Sequence, residues 1–216
     1  MVIVLTGGPG GGKSTLLREL ANDPEWWGRF VPLPEAVGIA VQTGVSPAER
    51  LLQRIVVEVQ RALEEGLARA LGPGDSRAIL CNRGTLDPLA FWRDRGWPAE
   101  EFYPFVGVML DEHYARYTAV LHLVTAADGA PEHYARWPEA HRPEEPEHAV
   151  RLDHFLTEAW GGHPWYFRLG NEGRNWAAKS AEARAFLRSV ATQVGTGCAG
   201  SGPDRDPRGA PAPRRS

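Results

Sequence analysis

The 216-residue chain has few cysteines, no long apolar run and no excess of positive charge. Its two cysteines are Cys81, which ends an apolar stretch, and Cys198, in a glycine-rich segment, so we expect free thiols and no structural disulfide. No apolar run approaches the roughly 18 residues that a membrane span needs. The formal net charge of -3 argues against a strongly basic surface for nucleic acid.

The amino terminus enters a strand-like stretch at once, without the charged leader of a secretory signal. With no predicted membrane span either, we expect a cytoplasmic protein. The hydrophobic content of 43% suits one packed α/β domain at this length. From residue 195 the composition shifts to Gly, Pro, Ala, Ser and Arg, which predicts a domain over residues 1–194 and a disordered tail over 195–216.

A phosphate-binding signature is present near the start of the chain. Residues 7–14 read GGPGGGKS, which matches G-x-x-x-x-G-K-[ST], and they stand between a buried-strand pattern and a helical one. Glycines let the main chain approach a ligand closely, so we expect main-chain N–H groups to surround a β-phosphate. The predicted nucleotide contacts are Gly8, Pro9, Gly10, Gly11, Gly12, Lys13, Ser14 and Thr15.

Two side chains of this loop have predicted chemical roles. Lys13 is expected to reach the β- and γ-phosphates, and the Ser14 hydroxyl to bind Mg²⁺ where a helix N-terminus adds partial positive charge. The pattern therefore predicts a site for a nucleoside triphosphate with magnesium. No Asn-Lys-x-Asp motif for guanine is present, which favours ATP and leaves GTP as the alternative.

Strand-like and helical patterns alternate along the chain, which indicates a parallel sheet with crossover helices. The predicted strands cover residues 1–6, 30–33, 77–81, 118–124 and 165–169. The predicted helices cover residues 14–21, 100–117, 147–160 and 177–190, and a long one that runs from a capping box at 46–49 to about residue 71.

Residues 126–150 form a polar insertion between the fourth and fifth strands, with a composition unlike that of a core element. Such an insertion is typical of a mobile lid, which excludes water and can carry arginines to a transferring phosphoryl group. Arg136, Arg142 and Arg151 are the candidates. For each of them the alternative is a surface arginine on a solvated loop.

Shorter motifs accompany the phosphate loop: PEA at 34–36, RGxxD at 83–87 and a stretch from 142 to 171. Together with the loop they resemble small AAA-type P-loop proteins related to nicotinamide riboside kinase, over nearly residues 1–190. The resemblance implies an α/β P-loop NTPase fold with a parallel five-stranded sheet of order 2-3-1-4-5, helices on both faces and a lid insertion. It also implies a core like that of nucleoside and nucleotide kinases.

The resemblance places Glu35 beside an acceptor site, where a carboxylate can act as general base; the alternative is an ordinary loop glutamate. Arg83 would face the phosphates or acceptor, because ligands of open α/β sheets bind at the carboxyl ends of strands, or it fixes the loop by a salt bridge. Asp87 binds acceptor hydroxyls or magnesium, or caps the following helix. The predicted catalytic residues are Lys13, Glu35, Arg83, Arg136 and Arg142.

The chain departs from this family at Asn82, where the family usually has aspartate. An amide can hydrogen-bond a metal-bound water but adds no charge, so we expect weaker Mg²⁺ binding and slower turnover unless Asp87 or Glu35 compensates. The predicted metal-binding residues are Ser14, Asn82 and Asp87.

Two further groups have open roles. Aromatic residues after the third strand either pack in the core or stack on a ring-bearing acceptor such as a nucleoside: Phe91, Trp92, Trp97, Phe102, Tyr103 and Phe105. Asn171 and Arg174, after the fifth strand, either lie near the nucleotide base or form a simple turn.

Two functions fit these patterns. The first is an ATP-dependent kinase that transfers the γ-phosphoryl group to a small-molecule acceptor of unknown identity. The second is a regulatory or binding NTPase with slow hydrolysis that signals its nucleotide state to a protein partner. Asn82 favours the second, and so do Trp26 and Trp27 before the second strand, which either pack in the core or form a surface for a partner. The sequence predicts no membrane or nucleic-acid partner and does not indicate an oligomeric state.

Overall fold

The structure, a computed structural model, describes residues 1–134 and 145–197. Its sheet is built from β1 (Val2–Thr6), β2 (Phe30–Leu33), β3 (Ala78–Asn82), β4 (Ala119–Leu123) and β5 (Tyr166–Leu169). The strands are parallel and lie in the order β2-β3-β1-β4-β5, which confirms the predicted topology. In the register, Val4 of β1 stands beside Cys81 of β3 and Val120 of β4.

Helices cover both faces of the sheet. They are α1 (Lys13–Ala21), α2 (Val37–Ala40), α3 (Arg50–Leu71), α4 (Pro88–Asp94), α5 (Ala99–Val106), α6 (Leu110–Ala115), α7 (Pro131–Tyr134), α8 (Pro146–Trp160) and α9 (Trp176–Gly197). Because successive strand residues point to opposite faces, Ile3 packs with α1 and α9, and Val4 packs with α3, α4, α5 and α8. The chain therefore forms an α/β/α sandwich, as predicted.

Two predicted helices have different bounds in the structure. The segment 46–49 is a turn, in which Ser46 N–H donates to Glu49 Oε1 (3.0 Å) and Glu49 N–H donates to the Ser46 carbonyl (2.9 Å). Glu49 itself is extended, so α3 begins at Arg50. The predicted helix over 100–117 is two helices, α5 and α6, because Gly107 with a φ of 72° ends the first.

The carboxyl-terminal helix also departs from its prediction. It continues past residue 190 to Gly197, so the predicted domain boundary at 194 falls inside α9. Helix ends depend on local packing that composition does not report. The rest of the predicted tail, and residues 135–144 of the predicted lid, lie outside the described residues. Within the described part of the chain, no helix combines the length and the apolar character of a bilayer span.

Candidate functional site

The phosphate loop connects β1 to α1 at the carboxyl edge of the sheet. No side chain caps α1, so the main-chain N–H groups of its first turn are left for a ligand. Gly12, just before the helix, has a φ of 94°, and a Cβ on it would lie 2.3 Å from the Trp176 ring. Both facts require glycine there. The loop has the strand, turn and helix arrangement of an anion-binding site.

The Lys13 side chain is buried within this loop. Its Nζ donates to the main-chain oxygens of Gly7 (2.7 Å) and Gly8 (3.0 Å). Burial, with a further contribution from the positive charge of Arg83, lowers the pKa of Lys13 to about 7. An anion bound in the loop would favour the charged form and raise this pKa. Whether Lys13 is protonated near neutral pH therefore depends on what is bound in the loop.

We expect nucleotide binding to take up a proton when the pH is above the pKa of free Lys13. At about pH 8.5 the free lysine, with its pKa of about 7, is mostly neutral, and a bound polyphosphate recharges it. Below about pH 7 the charge of Lys13 contributes fully to nucleotide affinity. Above that pH the affinity falls, by at most about tenfold per pH unit, until the pH passes the pKa of Lys13 in the complex.

Calorimetry of MgADP binding near pH 8.5, in two buffers of different ionisation enthalpy, measures this proton uptake. The polyphosphate is fully ionised at that pH, since its last pKa is about 6 to 7, so it does not contribute. Identical binding enthalpies in the two buffers would contradict proton uptake by Lys13.

A cavity of about 600 Å³ opens next to the loop. It is lined by Lys13 and Ser14 on one side and by residues of α3, α4 and α8 on the others. This volume is in the range of small-molecule binding sites. The residues predicted to bind phosphate and those predicted to border an acceptor therefore line one cavity, at the edge of the sheet where open α/β folds bind ligands.

Arg83 and Glu35 form an ion pair in the wall of this cavity. Arg83 Nε donates to Glu35 Oε1, and Nη1 donates to Asp87 Oδ1 (3.1 Å) and weakly to the Gly7 carbonyl (3.4 Å). Arg83 has a φ of 74°, a strained conformation for a residue with a side chain. Its guanidinium lies 5.2 Å from the centre of the Phe91 ring. Both predicted roles of Arg83 are thus compatible, because it faces the phosphate loop while it makes salt bridges.

The charge of Glu35 is set by opposing effects. Burial, the largest, raises the pKa of Glu35, but the positive charges of Arg83 and Lys13 outweigh it and hold the pKa below its usual value. Glu35 is therefore ionised at neutral pH. An ionised carboxylate in the cavity wall is in the right form to accept a proton.

Asp87 is fully engaged by the protein. Its Oδ1 accepts from Thr6 Oγ1 (2.9 Å) and Arg83, and its Oδ2 accepts from Gly84 N–H (3.0 Å) and Trp160 Nε1 (3.0 Å). A carboxylate has about four lone-pair positions, so none remains for a metal. The side chain does not cap α4 either. In this structure Asp87 joins β1, the loop after β3 and α8.

Asn82 and Ser14 are the predicted metal-binding residues that remain available, and both line the cavity. The Oδ1 atom of Asn82 is buried and accepts no hydrogen bond from the described residues. A buried carbonyl without a donor costs roughly 1–3 kcal/mol, which a ligand can recover. A hydroxyl and an amide oxygen suit Mg²⁺, which keeps several of its waters. The residues present therefore fit a hydrated magnesium ion.

Asn171 does not line the cavity; its side chain ties together the loops after β4 and β5. Its Nδ2 donates to the carbonyls of Thr125 (2.7 Å) and Asp128 (2.6 Å), and its Oδ1 accepts from Lys179 Nζ (2.7 Å). Burial lowers the pKa of Lys179 to about 8. Arg174, for its part, pairs with Glu182 (2.9 Å). The predicted contact of Asn171 with the nucleotide therefore has no free polar hydrogen to support it.

The predicted lid arginines are only partly described. Arg136 and Arg142 lie outside the described residues. Arg151 lies on α8, where its Nε donates to Asp94 Oδ1 of α4 (2.9 Å), and the neighbouring His148 contacts the other oxygen of Asp94 (2.8 Å). The structure therefore joins Arg151 to the rim of the cavity and does not bring it to the phosphate loop.

The aromatic cluster belongs to the core, with one exception. Trp92 and Phe102 are buried, and Trp97, Tyr103 and Phe105 pack against them. Phe91 alone of the six lines the cavity. Core packing was one of the two predicted roles, and it accounts for the cluster apart from Phe91.

Sequence reasoning missed Gln53, which lies on α3 in the cavity wall. It is 7% exposed, and no described residue hydrogen-bonds its amide. The signal was present, because Gln53, Gln60 and Glu64 recur at helical spacing on the buried side of α3. Polar residues in such positions need partners, which are protein groups for Gln60 and Glu64. The Gln53 amide is left to hydrogen-bond water or a molecule in the cavity.

The loop, the central strand and the cavity at the sheet edge define a P-loop protein. The sequence profile of an AAA domain family matches residues 2–171, and the chain belongs to that family. No curated protein matches the chain.

Solved structures show the same fold at low sequence identity. Thymidylate kinase from Candida albicans superimposes with a TM-score of 0.62 at 12% identity, over 87% of this chain and 91% of the other. Deoxyadenosine kinase from M. mycoides with bound dATP gives a TM-score of 0.55 at 15% identity, over 87% of this chain and 99% of the other. The same kinase with dCMP and a flexible dCDP gives 0.52 at 15% identity, over 88% and 100%.

Proposed function

We propose that this protein is an ATP-dependent kinase that transfers the γ-phosphoryl group to a small-molecule acceptor. The observation that carries the proposal is the shared cavity, which is lined by Lys13 and Ser14 of the phosphate loop and also by Glu35, Arg83 and Phe91. A donor in the loop and an acceptor in the cavity would meet between these groups. Phosphoryl transfer depends mostly on such positioning and on charge stabilisation.

The proposed roles follow from the charges of these groups. Lys13 and the first-turn amides of α1 hold the β- and γ-phosphates. Glu35 accepts the proton of the attacking hydroxyl, since its lowered pKa keeps it ionised. Arg83, held by Glu35 and Asp87 beside the loop, stabilises the charge that develops on the transferring group.

Ser14 and Asn82 would hold Mg²⁺, which neutralises charge on the β- and γ-phosphates when it is bound. Asn82 contributes a neutral oxygen where an aspartate would add a negative charge. The remaining carboxylates do not replace that charge, because Glu35 pairs with Arg83 and Asp87 has no free lone pair. This chain should therefore bind magnesium weakly in the absence of nucleotide.

Asn82→Asp is expected to lower the magnesium concentration for half-maximal nucleotide binding about fivefold. Two unit charges about 4 Å apart attract each other by about 1 kcal/mol even at the dielectric constant of bulk water, so fivefold is a lower bound. The change in magnesium dependence is measured by titrating MgCl₂ into the protein in the presence of ATP, with tryptophan fluorescence as the readout. Asn22→Asp, which adds the same charge on the exposed end of α1, is the control. An unchanged magnesium dependence would remove Asn82 from the metal site.

The cavity wall favours a flat acceptor with a polar edge. Phe91 offers a ring face, Leu52 and Val56 offer apolar surface, and the Gln53 amide is free to pair with a hydrogen-bonding edge. A nucleoside has all three matching features. The structural neighbours bound to dATP and to dCMP support this choice by analogy. Nicotinamide riboside, which the sequence resemblance suggests, has the same features.

The test is an assay of ADP release with Mg²⁺, ATP or GTP, and a panel of nucleosides that includes nicotinamide riboside. We expect at least one acceptor to raise ADP release at least about tenfold above the hydrolysis rate without acceptor. The phosphorylated product is then identified by mass spectrometry. If MgATP binds but no acceptor changes ADP release, the kinase proposal fails.

A second candidate function is a nucleotide-dependent regulatory protein with slow hydrolysis. Two observations favour it: the neutral Asn82 in the proposed metal site, and Trp27, which is 65% exposed. The neighbouring Trp26 is buried in the core and cannot contribute to a partner surface. Large exposed aromatic side chains are typical anchors of protein interfaces. Capture of a protein partner that requires bound ATP, and that Trp27→Ser abolishes, would support this candidate.

A further inference from the structure

Helix α8 touches the phosphate loop through Asp153. One carboxylate oxygen of Asp153, Oδ1, accepts from the Gly8 N–H (2.7 Å) and from the Thr125 N–H (3.0 Å). The other, Oδ2, lies 3.1 Å from His122 Nε2. Asp153 is only 3% exposed. A buried carboxylate from a neighbouring helix therefore holds the second residue of the loop.

The contact between loop and helix leaves no spare room. A Cβ on Gly8 would lie 2.9 Å from Asp153 Cβ and 3.0 Å from the Ala149 carbonyl. The main chain of Gly8 therefore lies directly against α8, and any movement of one must be matched by the other. Packed contacts of this kind switch between discrete arrangements instead of deforming gradually.

The Asp153 carboxylate is ionised and anchored on the sheet. Burial raises the pKa of Asp153, but the hydrogen bonds from His122, Gly8 and Thr125 outweigh it and lower the pKa. An ionised carboxylate only accepts, so His122 Nε2–H is the donor, and His122 Nδ1 lies 3.0 Å from Tyr166 Oη. The Asp153 network therefore rests on β4 and β5, which are rigid elements of the core.

The same helix also borders the acceptor side of the cavity. His148 and Leu152 line it, and His148 contacts Asp94 of α4, which also lines the cavity. Leu152 is next to Asp153 in the chain. A shift of α8 that followed the phosphate loop would therefore change the shape of the acceptor cavity.

We propose that Asp153 is a positioning residue that couples the phosphate loop to α8, so that binding of a polyphosphate in the loop and seating of α8 against the cavity stabilise each other. The proposal rests on the nucleotide-binding part of the proposed function and does not require that the acceptor be known. Because such coupling is reciprocal, a molecule in the cavity that binds more tightly when α8 is seated also tightens nucleotide binding.

The test uses hydrogen exchange of the α8 amides with and without saturating MgADP. In the wild type we expect MgADP to slow exchange over residues 146–160. In Asp153→Ala we expect binding about tenfold weaker, within the usual range for coupled sites, and no slowing of α8 exchange at saturation. Asp153→Asn retains an acceptor without the charge, so its binding should weaken only about threefold and its α8 protection should be partial.

The matched control is Glu158→Gln on the same helix. It weakens the surface pairs with Arg93 and His154 but leaves Asp153 untouched, and it should behave as the wild type does. Gly8→Ala separates the loop from α8 by a clash while it keeps the Asp153 charge, and it should also abolish the α8 response. This variant keeps the test informative if Asp153→Ala does not fold.

The outcomes separate the two proposals. If Asp153→Ala or Gly8→Ala, saturated with MgADP, shows wild-type protection of α8, the coupling is overturned. If the wild type binds MgADP without any change in α8 exchange, the coupling is overturned as well, and the kinase proposal stands. If α8 responds as expected but no acceptor is phosphorylated, the kinase proposal alone fails.

Discussion

Lys13→Ala is expected to weaken MgATP binding about a hundredfold. Hydrogen bonds that involve a charged group are worth about 1.5–3 kcal/mol, and loss of the ammonium from the phosphates should cost near the upper end of that range. Lys13 is buried in the loop, and the cation beside it, Arg83, is already held in ion pairs with Glu35 and Asp87. Calorimetry at about pH 6.5, below the pKa of about 7 of free Lys13, measures the full effect.

The fold of this variant should persist. Charged Lys13 in the free protein bears a desolvation penalty, which its lowered pKa reports, and alanine removes that penalty together with the two hydrogen bonds to Gly7 and Gly8. Arg18→Ala, an exposed cation on the same helix, is the control and should leave affinity unchanged. Binding of Lys13→Ala within threefold of the wild type would contradict the assigned nucleotide site.

Glu35→Gln is expected to slow phosphoryl transfer by about 10²- to 10⁴-fold, the usual contribution of a general base, while MgATP binding changes little. Glutamine preserves the shape of the side chain but cannot accept the proton. The expected acid limb of the pH–rate profile lies below the ordinary pKa of glutamate, because the pKa of Glu35 is lowered and activity is lost as the pH falls through it. Rates with the acceptor from the screen, measured from about pH 3.5 to 8, check both points.

Glu101→Gln provides the matched control, since it breaks an exposed pair with Arg50 (2.6 Å) outside the cavity. The ion pair between Glu35 and Arg83 offers a second explanation for any loss of phosphoryl-transfer rate in Glu35→Gln. If Glu35→Gln weakens MgATP binding and slows transfer to the same extent, displacement of Arg83 is the cause. Loss of the rate alone, with the acid limb gone, identifies Glu35 as the base.

Local patterns predicted the sheet because apolar runs, glycine turns and helical spacing each report on one element. The strand order followed from the resemblance, and the structure confirms it. Two helix bounds were wrong where the backbone conformation of a single residue interrupts the helix. Glu49 is extended, so α3 begins after it, and Gly107 separates α5 from α6. Such conformations depend on neighbours that periodicity does not register.

The cavity lining was predictable where a short motif contains the residue, as the PEA and RGxxD motifs contain Glu35 and Arg83. Lys13 and Ser14 stand in the loop motif itself, and both line the cavity. Asp87 and Asn171 were candidates because of their position after a strand, yet the polar atoms of Asp87 and the amide hydrogens of Asn171 are taken by protein partners. Asp153 was missed because its partner Gly8 is 145 positions away in the chain.

The sequence by itself determined a parallel sheet and, after its first strand, a glycine loop with one lysine and one hydroxyl. The residue patterns that specify these features act within a few consecutive residues. Only the tertiary structure decided which partners each carboxylate has. Asp87 and Asp153 accept hydrogen bonds from distant segments, and Glu35 accepts one from Arg83. The side-chain oxygen of Asn82 accepts none from the described residues. A polar group's chemistry depends on the partners that folding brings to it, and many of those partners lie far away in the chain.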